Sequence, residues 1–197
     1  SDHSTIAGNT VHGVFLEASA GTVDASLVEK NGGQGLYAIA DSTLSVRGAS
    51  EILENAANGV LVEQSFMEMS DSTVRANGEN GVSLLDAEAR ISGSAISEHP
   101  LNGIRMERSS AQVATTEVFS NRLEGVSELG SRLALSDSKV HDNTQNGVLL
   151  EHALADILRS EIRKNGIHGI HGHSNSSVTA TETTVAEHPD AGVRLAN

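Results

Sequence analysis

Residues 80–104 read NGVSLLDAEARISGSAISEHPLNGI, opening on Asn80-Gly81-Val82 and closing on the like triplet Asn102-Gly103-Ile104. Outward from this stretch, a glycine followed by an aliphatic residue recurs at Gly13-Val14, Gly35-Leu36, Gly59-Val60, Gly125-Val126, Gly147-Val148, Gly169-Ile170 and Gly192-Val193. The nine glycines are spaced by 22, 24, 22, 22, 22, 22, 22 and 23 residues. Self-similarity at so short a period marks a solenoid, whose units stack because none can bury its own apolar face alone.

Further columns keep the same phase. A small hydroxyl residue stands at Ser26, Ser50, Ser72, Ser94, Thr116, Ser138, Ser160 and Thr183, and two positions on comes Val28, Ile52, Val74, Ile96, Val118, Val140, Ile162 or Val185. A turn column follows at Asn31, Asn55, Asn77, Asn121, Asn143 and Asn165, with His99 and His188 in the same phase. A middle column runs Val23, Val46, Met69, Ile91, Val113, Leu135 and Ile157, weakening to Ala180. Each repeat thus holds three short alternating stretches and no helical period. Three strands in about 22 residues predict an all-β, single-stranded parallel β-helix of eight to nine coils, with residues 1–197 forming one domain. Leucine-rich repeats share the period but need a Leu-x-x-Leu-x-Leu frame, whereas these strands are rich in Val and Ile. The shorter coil of a left-handed hexapeptide helix would lose phase.

Each column has an expected job. The turn asparagines are expected to form a structural ladder, bonding to the rungs above and below in strained or left-handed backbone. The hydroxyls are expected to point inward and bond to one another, and the glycines to bend the chain into the next strand. A nucleophile does not recur once per coil, so the serine column predicts no catalysis.

The pattern resembles the right-handed β-helix repeat of pectate lyase-like proteins. Its carriers are Asn58-Gly59-Val60, Asn80-Gly81-Val82, Asn102-Gly103-Ile104 and Asn146-Gly147-Val148 together with the asparagine ladder, and it spans the whole chain. The resemblance implies a right-handed coil and a class that includes carbohydrate-binding proteins, sugar hydrolases and periplasmic accessory proteins. Enzymes of that class seat substrate on a strand face walled by long loops. Here the largest excess over 22 residues is two, around Ala40 to Ser50. Of the polygalacturonase motifs only Gly172-His173-Ser174 is a faint echo, and the Asp-Pro-His-Asp box of alginate epimerases is missing. No catalytic residue is nominated. Tyr37, Phe15, Phe66 and Phe119 are the only rings of their kind on which a sugar could stack.

A formal charge of −13 opposes binding to nucleic acid or to anionic membrane surfaces. No apolar run is long enough for membrane insertion by a helix, and the start lacks the basic and apolar regions of a signal peptide. Without cysteine there is neither a disulfide framework nor a thiolate site, and no cofactor fingerprint occurs. The most site-like feature is His168, His171 and His173. Residues 171 and 173 share a strand face, with Glu151 stacked one coil earlier, so His171, His173 and Glu151 are candidate ligands for a divalent metal.

The expectation is a non-enzymatic structural or recognition module, extracellular or in the cell envelope, presenting a flat repetitive face to a polysaccharide or protein partner. The alternatives are a polysaccharide lyase, hydrolase or epimerase of the pectate lyase-like class, or a remnant of one, and a metal-handling periplasmic accessory protein. The chain starts and stops partway through a coil, which suggests a fragment of a longer solenoid or multidomain protein. Uncovered strand edges would favour end-to-end self-association.

Overall fold

The computed structural model describes residues 3–196. Its strands pair only in parallel and fall into three sheets. Sheet 1 holds nine four-residue strands, from Val14–Glu17 to Val193–Ala196. Sheet 2 holds eight five-residue strands, from Ala20–Asp24 to Ser177–Thr181. Sheet 3 holds nine three-residue strands, from Thr5–Ala7 to Thr184–Ala186. Every strand within a sheet pairs with the third strand before and after it, the end strands with one neighbour only, so each coil visits each sheet once and the result is a parallel β-helix. We number the coils from Gly13, which opens coil 1, to Gly192, which opens coil 9. No helix long and apolar enough to cross a membrane occurs among the described residues.

The aliphatic columns become ladders in the expected register. Val28 pairs with Ile52, and Ile52 with Val74. On sheet 2, Val23 pairs with Val46, Val46 with Met69, and Met69 with Ile91. Sheet 1 buries its first and third residues, such as Val82 and Leu84, and the three inner faces meet in one continuous core. Burial of these branched side chains, at about 1.5–3 kcal/mol each, is the main force holding coil on coil.

The corners differ from expectation in three ways. Positive φ falls on the residue before each ladder asparagine, as at Lys30 (53°), Glu54 (53°) and Ala76 (54°), and not on Asn31, Asn55 or Asn77 themselves. That preceding residue turns the corner, which leaves the asparagine free to aim its amide along the stack. Second, the serine hydroxyls bond to backbone and not to one another. Ser72 N–H donates to Ser94 Oγ (3.2 Å), while Ser72 Oγ donates to Ser70 O (2.7 Å). Third, the repeat glycines serve close approach and have no positive φ. A Cβ on Gly81 would lie 2.5 Å from Ile96 Cγ2 and 2.6 Å from Gly103 O. The two extra residues of coil 2 are absorbed as paired left-handed turns at Ala40-Asp41 and Gly48-Ala49.

The asparagine ladder forms as predicted. Asn31 Nδ2 donates to Asn55 Oδ1 (2.8 Å), Asn55 to Asn77 (2.9 Å), Asn121 to Asn143 (2.9 Å) and Asn143 to Asn165 (3.0 Å). Asn9 adds a rung below Asn31 (2.8 Å). A second polar ladder precedes the glycines and runs the other way: Asn80 Nδ2 donates back to Asn58 Oδ1 (2.9 Å) and Asn102 back to Asn80 (3.0 Å). These bonds satisfy polar groups that the narrow core excludes from water.

Candidate functional site

The outer face of sheet 1 carries a row of rings and polar side chains. Register sets them in one column: Phe15 beside Tyr37, Tyr37 beside Leu61, Leu61 beside Ser83 and Ser83 beside Arg105. The rungs are about 4.8 Å apart. Residues more than 20 apart in sequence therefore become immediate neighbours.

At the start of the column His12, Phe15 and Tyr37 form an aromatic cluster. The Phe15 and Tyr37 centroids are 5.2 Å apart, and His12 lies 5.2 Å from Tyr37 and 5.9 Å from Phe15. Phe15 is half exposed. The Tyr37 hydroxyl donates to Glu63 Oε2 at 2.7 Å. Burial, and then the hydrogen bond and charge of Glu63, push this phenol up to about 12, so it stays a donor throughout the physiological range.

Further along, Ser83 sits low between Leu61 and Arg105, flooring an open depression of about 400 Å³ also lined by Leu85, Leu101 and Glu107. Arg105 Nη2 donates to Glu107 Oε2 (3.3 Å), and Arg108 holds the other oxygen of the same carboxylate. All three carboxylates lining this depression are thus engaged: Glu63 by Tyr37, Glu107 by Arg105 and Arg108, and Glu79 by Asn58 Nδ2 (2.8 Å). A larger trough of about 530 Å³ follows the corner between sheets 2 and 3. Its walls carry Glu51, Asp71, Glu117 and Asp137 around small residues such as Gly93 and Ala95, and it has no aromatic ring.

The histidines lie near the far end of sheet 1. His171 and His173 share an outward face, with centroids 5.6 Å apart, and Glu151 pairs directly with His173. His168 meets His171 edge-on at 4.9 Å but is buried, and its Nδ1 accepts the Ala191 N–H (3.3 Å). That bond makes Nδ1 an acceptor, so the nearby Asp190 carboxylate (3.5 Å) is not its hydrogen-bond partner in the neutral ring. His173 Nδ1 is bonded to Ser174 Oγ (3.0 Å). Burial and then the charges of His168, Arg194 and His173 hold His171 below the usual imidazole range. Among the described residues no group of three or more His, Asp or Glu is arranged to hold a metal ion.

One residue on sheet 1 was missed by reading the columns. Glu128 occupies the inward column between Met106 and Leu150, is 1% exposed, and neither carboxylate oxygen has a partner. Burial raises its pKa well above the ordinary carboxylate value. The signal was available three residues after each glycine, where Leu16, Ala38, Val62, Leu84, Met106 and Leu150 are interrupted by one acid. Just before Gly125, Glu124 is buried in the second polar ladder, where burial raises its pKa against the opposing bond from Asn146 Nδ2 (3.3 Å).

A family model described as "Right handed beta helix region" matches residues 58–197. Among solved structures, a single-substitution variant of the periplasmic alginate epimerase AlgG matches with a TM-score of 0.67 at 13% identity, over 93% of this chain and 61% of its own. A second AlgG variant gives 0.57 at 12% identity, over 92% and 60%. The pectate lyase Pel9A gives 0.49 at 10% identity, over 86% and 71%. The chain therefore spans about three-fifths of the length of the epimerase chains it matches. No curated protein sequence matches it. At such identities the likeness shows the fold alone.

Proposed function

Because the chain belongs to the right-handed β-helix family, we propose that it is a recognition module that binds a glycan along the outer face of sheet 1 without turning it over. The observation that carries this reading is the single column in which two tilted rings in contact, Phe15 and Tyr37, lead on through Leu61 to Ser83 and Arg105, with Glu63 beside the column accepting from the Tyr37 hydroxyl. Sugar binding combines apolar stacking with a few fixed donors and acceptors, and a rigid sheet presents both without an ordering cost. The face is open and flat, so it suits an extended chain lying along the solenoid axis. The engagement of Glu63 and Glu107 in internal bonds favours binding over acid–base turnover. An envelope or secreted setting fits this role, and AlgG is described as periplasmic.

The test is calorimetric titration with neutral, acetylated and uronate-containing polysaccharides, followed by product analysis. Saturable binding without new reducing ends, unsaturated products or epimerised residues is expected, and Tyr37→Ala should weaken it about tenfold. Appearance of product would replace this reading with that of a polysaccharide-modifying enzyme, whereas saturable binding unaffected by Tyr37→Ala would move the site off this face.

A further inference from the structure

We propose that His99 makes the junction of coils 3 and 4 an acid-sensitive rung, at which the solenoid loosens when the imidazole takes up a second proton. His99 stands in the asparagine ladder between Asn77 and Asn121 and is fully buried. Asn77 N–H donates to His99 Nδ1 (3.2 Å), and His99 N–H donates to Asn121 Oδ1 (3.1 Å). Since Nδ1 is an acceptor, Nε2 carries the proton and donates to Val74 O (3.2 Å). The neutral ring thereby reproduces what Asn77 does one rung earlier, where Oδ1 accepts Asn55 N–H (3.0 Å) and Nδ2 donates to Ile52 O (3.0 Å), both of the preceding coil. An imidazolium has no acceptor. A second proton would set the Nδ1 hydrogen against the Asn77 N–H and break the rung.

The surroundings leave the charged ring little relief. The inner faces against it are apolar, from Val74 and Ile96, and a Cβ on Gly81 would come within 2.7 Å of Nε2. The charged groups on the adjoining elements are Glu98, Arg75, Glu79 and Arg122. Of these four only Glu98 favours protonation, and it is engaged by Arg75 (3.3 Å). Glu79 is taken up by Asn58 Nδ2 (2.8 Å), and the Arg122 N–H donates to the His99 carbonyl (2.9 Å). Burial prevails over the backbone hydrogen bonds at Val74 and Asn77 and over the Glu98 charge, and holds His99 down to about 4. An asparagine amide has no proton to gain in this range, so the asparagine rungs lack this response.

His188 repeats the arrangement four coils later, taking Asn165 N–H at Nδ1 (3.2 Å) and facing Ile162 O with Nε2 (3.1 Å). Its charged surroundings are Glu187, which reaches Lys164 (3.7 Å), and Asp190. Each of the two histidines is followed by one of the chain's two prolines, Pro100 and Pro189. The interior rung matters more for function, because coils 3 and 4 carry Leu61 and Ser83 side by side. Loosening there would divide the binding column, a consequence that rests on the glycan-binding reading; the rung itself does not.

The molecule suggests its own control, His99→Asn. Urea unfolding of wild type and His99→Asn is compared at pH 7.5 and 4.5. With the imidazole at 6.5 in the unfolded chain and about 4 in the folded one, acidification should raise the wild-type unfolding constant about 70-fold more than that of the variant. Equal acid sensitivity in the two proteins overturns the proposal. Should His99→Asn fail to fold, hydrogen exchange on wild type decides: protection of the Asn77 amide relative to that of Asn121 should fall at least tenfold between pH 7.5 and 4.5, and a constant ratio overturns it. Neither readout uses a glycan, so failure of binding and failure of the rung remain distinguishable.

Discussion

Replacing Glu128 with leucine should stabilise the protein, although it removes the only inward-facing carboxylate of sheet 1. The side chain is 1% exposed, paired in register with Met106 and Leu150, and both its oxygens are unpartnered. A buried polar group without a partner costs about 1–3 kcal/mol. Leucine in its place would bury apolar surface worth about 1.5–3 kcal/mol, in a column that already accepts Leu84 and Leu150. Allowing for imperfect packing, Glu128→Leu should add about 3 kcal/mol, and Glu128→Gln less, because its amide would still lack partners.

The assay is equilibrium unfolding in urea, where a gain of that size moves the midpoint upward by roughly 1 M with little change in slope. The gain should also depend on pH. Because burial raises the folded pKa above the ordinary 4.5, the folded chain keeps a proton that the unfolded chain releases above that pH. Wild-type stability therefore falls as pH rises from 4.5 toward the folded pKa, and the leucine variant lacks that decline. The advantage of leucine should be greater at pH 8 than at pH 5. A midpoint that stays put or drops, or a gain independent of pH, would refute the account of Glu128 as an uncompensated buried acid.

Gly81→Ala should destabilise by about 3 kcal/mol, since its Cβ would collide with Ile96, Gly103 O and His99; thermal melting checks this, and an unchanged midpoint would show that the coils can separate locally. Asn121→Ala removes the acceptor of the buried His99 N–H and the bond to Asn143, so a loss of about 2–3 kcal/mol in urea unfolding is expected. Zinc titration should show no saturable site at His171, His173 and Glu151, as no three donors converge there; stoichiometric binding abolished by His171→Ala would contradict that.

The period alone made the fold legible, because residues 22 apart on a closed coil must stack. It could not say which of two adjacent corner residues turns left-handed. Lys30 and Asn31 look equivalent to a column count, and the difference arises from where the amide must point. The same limit hid the serine rungs at the first corner, such as Ser42 N–H to Ser65 Oγ (3.0 Å) and Ser109 N–H to Ser131 Oγ (3.1 Å). Of the candidate site, Phe15 and Tyr37 were legible only as scattered rings, since their adjacency exists across coils and not along the chain. Glu128 escaped for the opposite reason. Its column is apolar in most coils, and the aliphatic residue beside each glycine draws the eye to the position two residues earlier.

The ladder bonds run along the axis while the strands run across it, and this gives the rod an uneven response to load. Tension applied from end to end would open one rung at a time, as a zip opens, so that only a few bonds bear the force at any moment. Each coil peeled away would release about 70 Å of slack, the extended span of 22 residues less one rung. Under a pull directed across the axis, many parallel rungs would share the load and the rod would resist. The molecule is thus compliant lengthwise and stiff sideways.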